Sequence, residues 1–257
     1  MYPYIYVLGR NISTYGLCML AGVVLVMVLS LCRGRRRGLI VEDLLIVGAF
    51  ALGFALLGGS MLYVFVNYSC AEISVFILAG DWHFLCSGIV FYGGLIGGIC
   101  DAICGINVAK CGFGLIEYAV VPFVPLGHAV GRMGCVMAGC CYGFQYNGPF
   151  ALYYKNAITG LSPECGYFPV QILEAALNIT ICVFLLWYEK KAKRVTDLLF
   201  MYLGIYAIAR FFLEMLRGDM NRGVWHTIST SQIISLLILA ISIMCMVLKK
   251  KTTVPQN

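Results

Sequence analysis

The residues best suited to chemistry lie in one short stretch, residues 127–143, which reads GHAVGRMGCVMAGCCYG. It combines a histidine, an arginine, three cysteines and five glycines in a chain that is otherwise rich in apolar residues. An arginine inside a membrane costs about 2.5–3.5 kcal/mol even on the mildest insertion scale, because the guanidinium cannot lose its charge. Arg132 is therefore predicted to hold a ligand, and a phosphate at the outer leaflet is the natural anion for it.

His128 and the glycines of this stretch each allow two interpretations. His128 precedes Arg132 by four residues, so the two side chains share one face if the segment is helical. The histidine can act as a general base, or it can simply bond the backbone near a helix end. The glycines either let two helices approach closely or open space for a lipid head group.

The cysteines of the stretch raise the question of metal or redox chemistry. Zinc and iron–sulfur sites need about four ligands, usually from spaced pairs, and adjacent cysteines such as Cys140 and Cys141 rarely both bind one ion. A thiol–disulfide site typically carries a CxxC pair, and the sequence has none. We therefore predict neither a metal nor a cofactor, and expect Cys135, Cys140 and Cys141 to act as small residues lining a tight turn.

Three further segments place polar groups in apolar surroundings. Arg210, Glu214 and Arg217 lie at positions i, i+4 and i+7, which puts them on one stripe of a helix. Two cations and one anion favour an anionic ligand, with a purely structural ion pair as the alternative. Glu174, in PVQILEAA, either acts in the site or orients an arginine. Tyr92, in FYGGLIGG, is either part of the site or an anchor at the membrane interface.

Composition indicates what must position these residues. Hydrophobic residues make up 61% of the 257 residues and charged residues only 12%, which is typical of an integral membrane protein. Apolar runs long enough to cross the bilayer as helices recur along the chain. We predict an all-α membrane protein with seven spans, at about residues 15–32, 44–66, 86–108, 113–130, 168–188, 197–216 and 231–248. A polar loop is expected between the second and third spans.

The placement of basic residues predicts the topology. With the N-terminus outside and the C-terminus in the cytoplasm, twelve basic residues face the cytoplasm, as the positive-inside rule requires. They are Arg33, Arg35, Arg36, Arg37, Lys110, Lys190, Lys191, Lys193, Arg194, Lys249, Lys250 and Lys251. Because these clusters follow apolar spans, they indicate membrane topology and not a nucleic-acid interface. Residues 1–257 are expected to form one integral membrane domain.

Taken in order, the segments of this chain resemble those of the prolipoprotein diacylglyceryl transferase family. The matching pieces are STYGLCMLAG, FYGGLIGG, GRMGCVMAGCCYG, FPVQILEA and ARFFLEMLRGD. Members are seven-helix inner-membrane enzymes that move diacylglyceryl from phosphatidylglycerol to the thiol of a lipobox cysteine, releasing glycerol phosphate. The resemblance covers nearly the whole chain.

The resemblance implies roles for individual residues. Arg132, with Gly131, Gly134 and Gly143, matches the signature that binds phosphatidylglycerol. Residues matching the other motifs are Arg210, Glu214 and Arg217 near the carboxyl end, and Glu174 in the Pro-x-Gln helix. We assign Arg210, Glu214 and Tyr92 to catalysis, with His128 added because of its spacing from Arg132. The residues assigned to phosphatidylglycerol binding are Arg132, Gly131, Gly134, Gly143, Arg217 and Glu174.

The chain also departs from the family pattern. Tyr92 stands where the family has the histidine of its His-Gly-Gly motif, Cys135 and Ala138 replace two signature asparagines, and Cys140 replaces a glutamate. A tyrosine, with an ordinary pKa of about 10, is a weak general base. His128, on the face of Arg132, is our candidate for the missing base.

The expected function is transfer of diacylglyceryl from phosphatidylglycerol to the lipobox cysteine of prolipoproteins in the bacterial inner membrane. One alternative is a related transferase that uses the same lipid with another acceptor. A second is a lipid-binding or transport protein that kept the fold without catalysis. A third, a membrane thiol oxidoreductase, would depend on the cysteine group. The expected partners are phosphatidylglycerol, other membrane lipids and the prolipoprotein signal peptide, with no nucleic acid.

Overall fold

A computed structural model of the chain describes residues 2–7, 9–80, 97, 104–109, 112–190, 197–218, 224–225 and 228–248. Eight helices over these residues are named here in chain order. They are α1 (Thr14–Gly34), α2 (Val41–Asn67), α3 (Cys70–Ala79), α4 (Phe113–Val120), α5 (Val124–Ala138), α6 (Val170–Tyr188), α7 (Asp197–Met215) and α8 (Thr230–Leu248). Short 3-10 turns cover Arg35–Arg37 and Val121–Phe123, the second joining α4 to α5.

Strands in the described part of the chain are few and short, and they form three antiparallel pairs. The pairs are β1 (Tyr4–Val7) with β2 (Arg10–Ser13), β3 (Leu152–Tyr153) with β4 (Gly166–Tyr167), and β5 (Val224–Trp225) with β6 (Ile228–Ser229). The prediction of an all-α membrane protein is confirmed, because within the described ranges the sheet structure is limited to these pairs.

Six segments of the described chain are long and apolar enough to cross a membrane. They are Thr14–Arg37, Val41–Phe65, Phe113–Ala138, Val170–Tyr188, Asp197–Met215 and Thr230–Leu248. Each coincides with a predicted span. The remaining predicted span, at residues 86–108, falls mostly outside the described residues, so the count of seven and the orientation of the termini stay predictions.

Apolar side chains also cover the outside of these helices. Leu20, Val183, Phe212 and Val247 are each at least 60% exposed. Exposed apolar surface on this scale is unfavourable in water and favourable against lipid tails. The surface therefore agrees with the composition in favouring a membrane environment.

The expected polar loop after α2 is partly wrong, because residues 70–79 are helical. A capping box starts α3: the Ser69 backbone N–H donates to Glu72 Oε2 at 2.8 Å, and the Glu72 N–H donates to Ser69 Oγ at 3.4 Å. The hydrogen bond from the Ser69 backbone, with a second from its hydroxyl, lowers the pKa of the Glu72 carboxyl. The Ser-x-x-Glu spacing was readable in the sequence and predicts this helix start.

The predicted end of the fourth span, near residue 130, is also wrong. Helix α5 continues to Ala138 and ends in a Schellman motif, with Gly139 at a φ of 73°. The Gly139 N–H donates to the Val136 carbonyl at 3.3 Å, and the Cys140 N–H donates to the Cys135 carbonyl at 3.2 Å. The helix therefore carries both His128 and Arg132 and stops just before the paired cysteines.

The described chain divides into two compact units, each treated by itself. One unit comprises Met1–Arg33 with Glu117–Asn257, and the other comprises Gly34–Ile116. In the first unit α6 packs between α5 and α7, and α8 packs on α7. Its core includes Val121, Ile181, Leu185, Leu198 and Tyr202. The prediction of a single membrane domain is not tested by this division.

The glycines of α5 that face α1 allow the two helices to touch. A Cβ atom on Gly127 would lie 2.6 Å from Val26 Cγ2 and 3.3 Å from the Gly22 carbonyl oxygen. A Cβ on Gly131 would lie 2.9 Å from Met19 Sδ. Of the two interpretations of these glycines, this contact supports helix packing.

Replacing Gly127 with alanine tests the close approach of α1 and α5. We expect Gly127→Ala to lower the free energy of unfolding by about 1–3 kcal/mol, because the added methyl group overpacks the contact. Thermal unfolding of the purified protein in detergent measures the change.

The control is Gly53→Ala, at a position in α2 where a Cβ meets no atom within 4 Å. That change should be neutral or stabilise by up to about 1 kcal/mol, through reduced freedom of the unfolded chain. Equal stability of Gly127→Ala and the wild type would contradict the packing.

Candidate functional site

Helix α5 presents His128 and Arg132 to the neighbouring helix α6. Arg132 Nη2 lies 3.0 Å from Glu174 Oε1, and His128 Nε2 lies 3.7 Å from the same oxygen. The one-turn spacing of His128 and Arg132 on α5 makes this shared approach possible. Arg132 and Glu174, which lie far apart in the sequence, are thus brought together.

Glu174 is the centre of a charged cluster shared by three helices. Only 2% of its surface is exposed. Besides Arg132 of α5, it contacts two residues of α7: Arg210 Nη1 lies 3.5 Å from Oε2, and the Tyr206 hydroxyl donates to Oε1 at 3.0 Å. A buried carboxylate needs such partners, since an isolated charge in this setting would be very costly.

A second buried carboxylate, Glu214, extends the cluster along α7. Arg210 Nη2 lies 2.8 Å from Glu214 Oε2, and Arg217 Nη1 lies 3.8 Å from the same oxygen. The predicted ladder of these three residues is therefore present as contacts, although α7 itself ends at Met215. Counted over the described side chains of this cluster alone, three guanidinium groups face two carboxylates, which is an excess of one positive charge.

Arg210 retains a donor that its neighbours do not satisfy. Among the described residues, its Nη1 atom is buried and makes no hydrogen bond, and its contact with Glu174 is longer than a good N–H···O bond. A buried guanidinium nitrogen in this state is stabilised by an anion that brings its own acceptor oxygens. The net charge and this open donor together favour an anionic ligand.

His128 is held by the arginine that follows it. The Arg132 Nε–H donates to His128 Nε2 at 3.3 Å, and the imidazole packs edge-on against the Tyr206 ring, with 5.1 Å between ring centroids. A proton on Nε2 would remove this hydrogen bond and face the guanidinium charge. This geometry supports an orienting role for His128 more strongly than a basic one.

Gly143 brings the end of α7 to the loop after α5. It forms an antiparallel bridge with Arg217, and the Gly218 N–H donates to the Tyr142 carbonyl at 3.0 Å. A Cβ on Gly143 would collide with the Phe168 carbonyl, so glycine is required for this approach. Gly143 therefore positions Arg217 through the backbone.

Gly131 and Gly134 lie elsewhere. A Cβ on Gly134 would lie 2.9 Å from Cys18 Cβ of α1, and that on Gly131 would be close to Met19, as described above. Their assignment to phosphatidylglycerol binding stays a prediction. Tyr92 lies outside the described residues.

Two residues of this region escaped the sequence interpretation, and a third gains a defined contact. Tyr206 precedes Arg210 by one helical turn, a spacing that could have indicated its place beside Glu174. Gln171 Nε2 donates to the Cys140 carbonyl at 2.9 Å and to the Tyr154 hydroxyl at 2.8 Å. Burial raises the pKa of Tyr154 to about 12, so its hydroxyl stays protonated at neutral pH. Tyr154 lies in a loop whose sequence carried no signal of this contact.

The three cysteines of the stretch converge at the end of α5. The Sγ atoms of Cys135, Cys140 and Cys141 all lie within 4.8 Å of one another. Arg132 Nη1 lies 4.0 Å from Cys135 Sγ, which places the thiols beside the charged cluster. Hydrogen bonds from Cys135 and Cys140, followed by the charges of Arg217 and Arg132, lower the pKa of the Cys141 thiol.

Fold and site together define a multi-pass α-helical membrane protein with a buried cluster of arginines and glutamates. The family model for prolipoprotein diacylglyceryl transferase matches residues 3–248, and the chain belongs to that family. Two curated relatives are similar over 237 residues, covering 91% of this chain.

The first of these relatives is phosphatidylglycerol–prolipoprotein diacylglyceryl transferase 2 of Clostridium perfringens (strain 13 / Type A), at 33% identity and 89% coverage of its own length. The second, a phosphatidylglycerol–prolipoprotein diacylglyceryl transferase of Clostridium tetani (strain Massachusetts / E88), is 31% identical with 92% coverage. The enzyme of that name from Clostridioides difficile (strain 630) is 26% identical over 82% of this chain and 81% of its own.

Neutralising Glu174 tests whether the cluster depends on this carboxylate. We expect Glu174→Gln to lower the free energy of unfolding by about 3–5 kcal/mol, because Arg132 and Arg210 lose the charge that compensates them. Thermal unfolding in detergent measures the loss, and Glu164→Gln, at an exposed loop position, serves as the control.

A double variant sharpens this test. Adding Arg132→Gln to Glu174→Gln removes both partners, so the combined loss should be smaller than the sum of the two single losses. Strictly additive losses, or no loss for Glu174→Gln, would contradict a direct ion pair.

Proposed function

We propose that this protein transfers the diacylglyceryl group of phosphatidylglycerol to the thiol of a prolipoprotein cysteine. Membership of the family and the names of the relatives support this reaction. The observation that carries it to the site is the buried arginine cluster with one net positive charge, centred on Glu174. A cluster of this kind suits a lipid phosphate that must leave with additional negative charge.

The reaction makes two demands on the site. The acceptor thiol must lose its proton, and its sulfur then forms a bond to the terminal glycerol carbon of the diacylglyceryl group. The bond between that carbon and the phosphate oxygen breaks, and glycerol phosphate leaves with the electron pair. Fixed cations at the departing phosphate lower the barrier because they are already oriented before charge develops.

The arginines meet the second demand. Arg132 and Arg210 share Glu174, and Arg210 and Arg217 share Glu214, so each guanidinium is oriented by a carboxylate. The Nη1 atom of Arg210, which makes no hydrogen bond to the part of the chain that the structure describes, gives a first contact for a phosphate oxygen. Glu174 and Glu214 thus hold the cations in place, and the net positive charge remains for the ligand.

The first demand leaves two candidates for the base. His128 lies beside Arg132, and Tyr92 stands where the family has a histidine. The hydrogen bond that His128 accepts from Arg132 supports an orienting role, in which the imidazole fixes the guanidinium plane. Under that assignment the proton of the acceptor thiol passes to another group, and Tyr92 is the sequence-based candidate.

The substrates imply a location. We propose that the acceptor is the lipobox cysteine of a prolipoprotein signal peptide, and that the protein works in the bacterial inner membrane with its site toward the outer leaflet. The placement of basic residues at the predicted cytoplasmic ends of the spans supports this orientation.

Substitution of Arg132 tests phosphate stabilisation most directly. We expect Arg132→Gln to lower turnover by about 10²–10³-fold, the loss seen when one fixed donor to a developing oxyanion is removed. Arg132→Lys should fall between this variant and the wild type, because it keeps the charge and loses the planar fork. The assay follows the mass of a lipobox peptide incubated with reconstituted protein and phosphatidylglycerol, together with release of glycerol phosphate.

The control is Arg10→Gln, at an exposed position of the first hairpin. Lipid binding by the wild-type protein without any covalent product would favour the non-catalytic alternative. Release of glycerol phosphate by the wild type without a modified lipobox peptide would favour a transferase with another acceptor. Full activity of Arg132→Gln would contradict the proposed site.

His128 variants separate orientation from base catalysis. The amide oxygen of glutamine can accept the Arg132 hydrogen bond, so we expect His128→Gln to retain much more turnover than His128→Ala. Loss of a general base would instead lower both variants by about 10²–10⁴-fold. Turnover is measured across a pH series in the same lipidation assay. If His128 is the general base, the pH dependence of turnover in the wild type should change when His128 is replaced, whereas an orienting role leaves it unchanged.

A further inference from the structure

We propose that Cys135, Cys140 and Cys141 form a binding site for one thiophilic metal ion, with Zn²⁺ as the best match. The proposal is independent of the transferase reaction, since it rests on the geometry of three sulfur atoms. Sequence reasoning predicts no metal here because adjacent cysteines seldom share an ion. The structure, however, brings the sulfur atoms of both adjacent cysteines together with that of Cys135.

The distances between the sulfur atoms fit a tetrahedral ion. With zinc–sulfur bonds of about 2.3 Å, two ligands of a tetrahedral site lie roughly 3.8 Å apart. The three Sγ atoms lie within 4.8 Å of one another, so small side-chain rotations bring them to that separation. Sulfur ligands in this arrangement select soft or borderline ions over Mg²⁺ or Ca²⁺.

The backbone explains how adjacent cysteines reach one point. Cys135 lies in the last turn of α5, and Gly139 reverses the chain there. Cys141 has a φ of 56°, which is uncommon for a residue other than glycine. This left-handed conformation at Cys141 accompanies the placement of its sulfur beside those of Cys135 and Cys140.

The turn is also held in place from outside. Gln171, whose surface is only 1% exposed, donates from Nε2 to the Cys140 carbonyl, and the same amide group bonds Tyr154. The Thr159 hydroxyl donates to the Gly139 carbonyl at 2.7 Å. Supports of this kind fix the ligands before binding, which reduces the entropic cost of assembling a site.

The surrounding charge suits a metal bound by thiolates. Binding of Zn²⁺ displaces three thiol protons to solvent and leaves a unit of charge −1. Arg132 Nη1 lies 4.0 Å from Cys135 Sγ, so a cation of the charged cluster faces that unit. Three sulfur ligands fill three tetrahedral positions, and a water molecule or another small ligand would complete the coordination.

The primary test is the metal content of the full-length protein, purified in detergent under reducing conditions. After exposure to excess Zn²⁺ and removal of free metal, we expect about one zinc ion per chain by elemental analysis. Co²⁺ in place of Zn²⁺ should give the sulfur-to-cobalt charge-transfer absorption that reports thiolate ligands.

Serine variants assign the ligands. Cys135→Ser, Cys140→Ser and Cys141→Ser should each weaken binding by more than the 10–100-fold that follows loss of a group merely supporting a ligand. Cys245→Ser, at a half-buried position of α8 outside the cluster, is the matched control and should bind as the wild type does. Absence of bound metal in the reduced wild type, or equal binding by all four variants, would overturn the proposal.

A second measurement uses only the wild-type protein, so its result does not depend on whether the serine variants fold. Bound Zn²⁺ should slow alkylation of Cys135, Cys140 and Cys141 in the wild-type protein, as mapped by mass spectrometry of its peptides. Protection confined to other cysteines would overturn the site. A stable disulfide within the group that prevents metal uptake even after reductant treatment would overturn it as well.

Discussion

The contact between the Glu174 carboxylate and two guanidinium groups is the interaction on which the rest of the site depends. Glu174 lies on α6, Arg132 on α5 and Arg210 on α7, so one buried carboxylate joins three membrane-spanning helices. Each partner would be very unfavourable alone in an apolar environment. Because the charges compensate one another only when the three helices are correctly packed, assembly of the helices and assembly of the site are the same event.

The two glutamates neutralise the charge of the arginines only in part, and this incomplete neutralisation matters for ligand binding. Among the residues that the structure describes, Glu174 and Glu214 face three arginines, which is an excess of one positive charge, and one nitrogen of Arg210 makes no hydrogen bond. Electrostatic interactions are strong where water is scarce, so this small imbalance is sufficient to favour an anion. A fully neutral network would stabilise the helices equally well and would have less affinity for a phosphate.

The turn after α5 links this charged cluster to a second kind of chemistry. Its Schellman motif, the Gln171 hydrogen bond and the bridge between Gly143 and Arg217 hold the loop against the ends of α6 and α7. Cys135 and Cys140 meet Cys141 at this turn, beside Arg132. Three thiols and a guanidinium group are therefore gathered at this turn.

Local properties of the sequence were enough to predict six of the seven proposed membrane spans, the single-turn pairing of His128 with Arg132, and the ladder from Arg210 to Arg217. These features depend on hydrophobic run length, helical periodicity and the cost of burying charge, which act over a few neighbouring residues. The end of α5 at Gly139 and the capping box of α3 are also local features, encoded by one glycine and by the Ser-x-x-Glu spacing. Only the tertiary structure decided that Glu174 joins the two arginines, that Tyr154 bonds Gln171 near the site, and that three cysteine sulfurs meet. Those contacts join residues far apart in the chain, or depend on one backbone angle at Cys141, and neither composition nor spacing determines them.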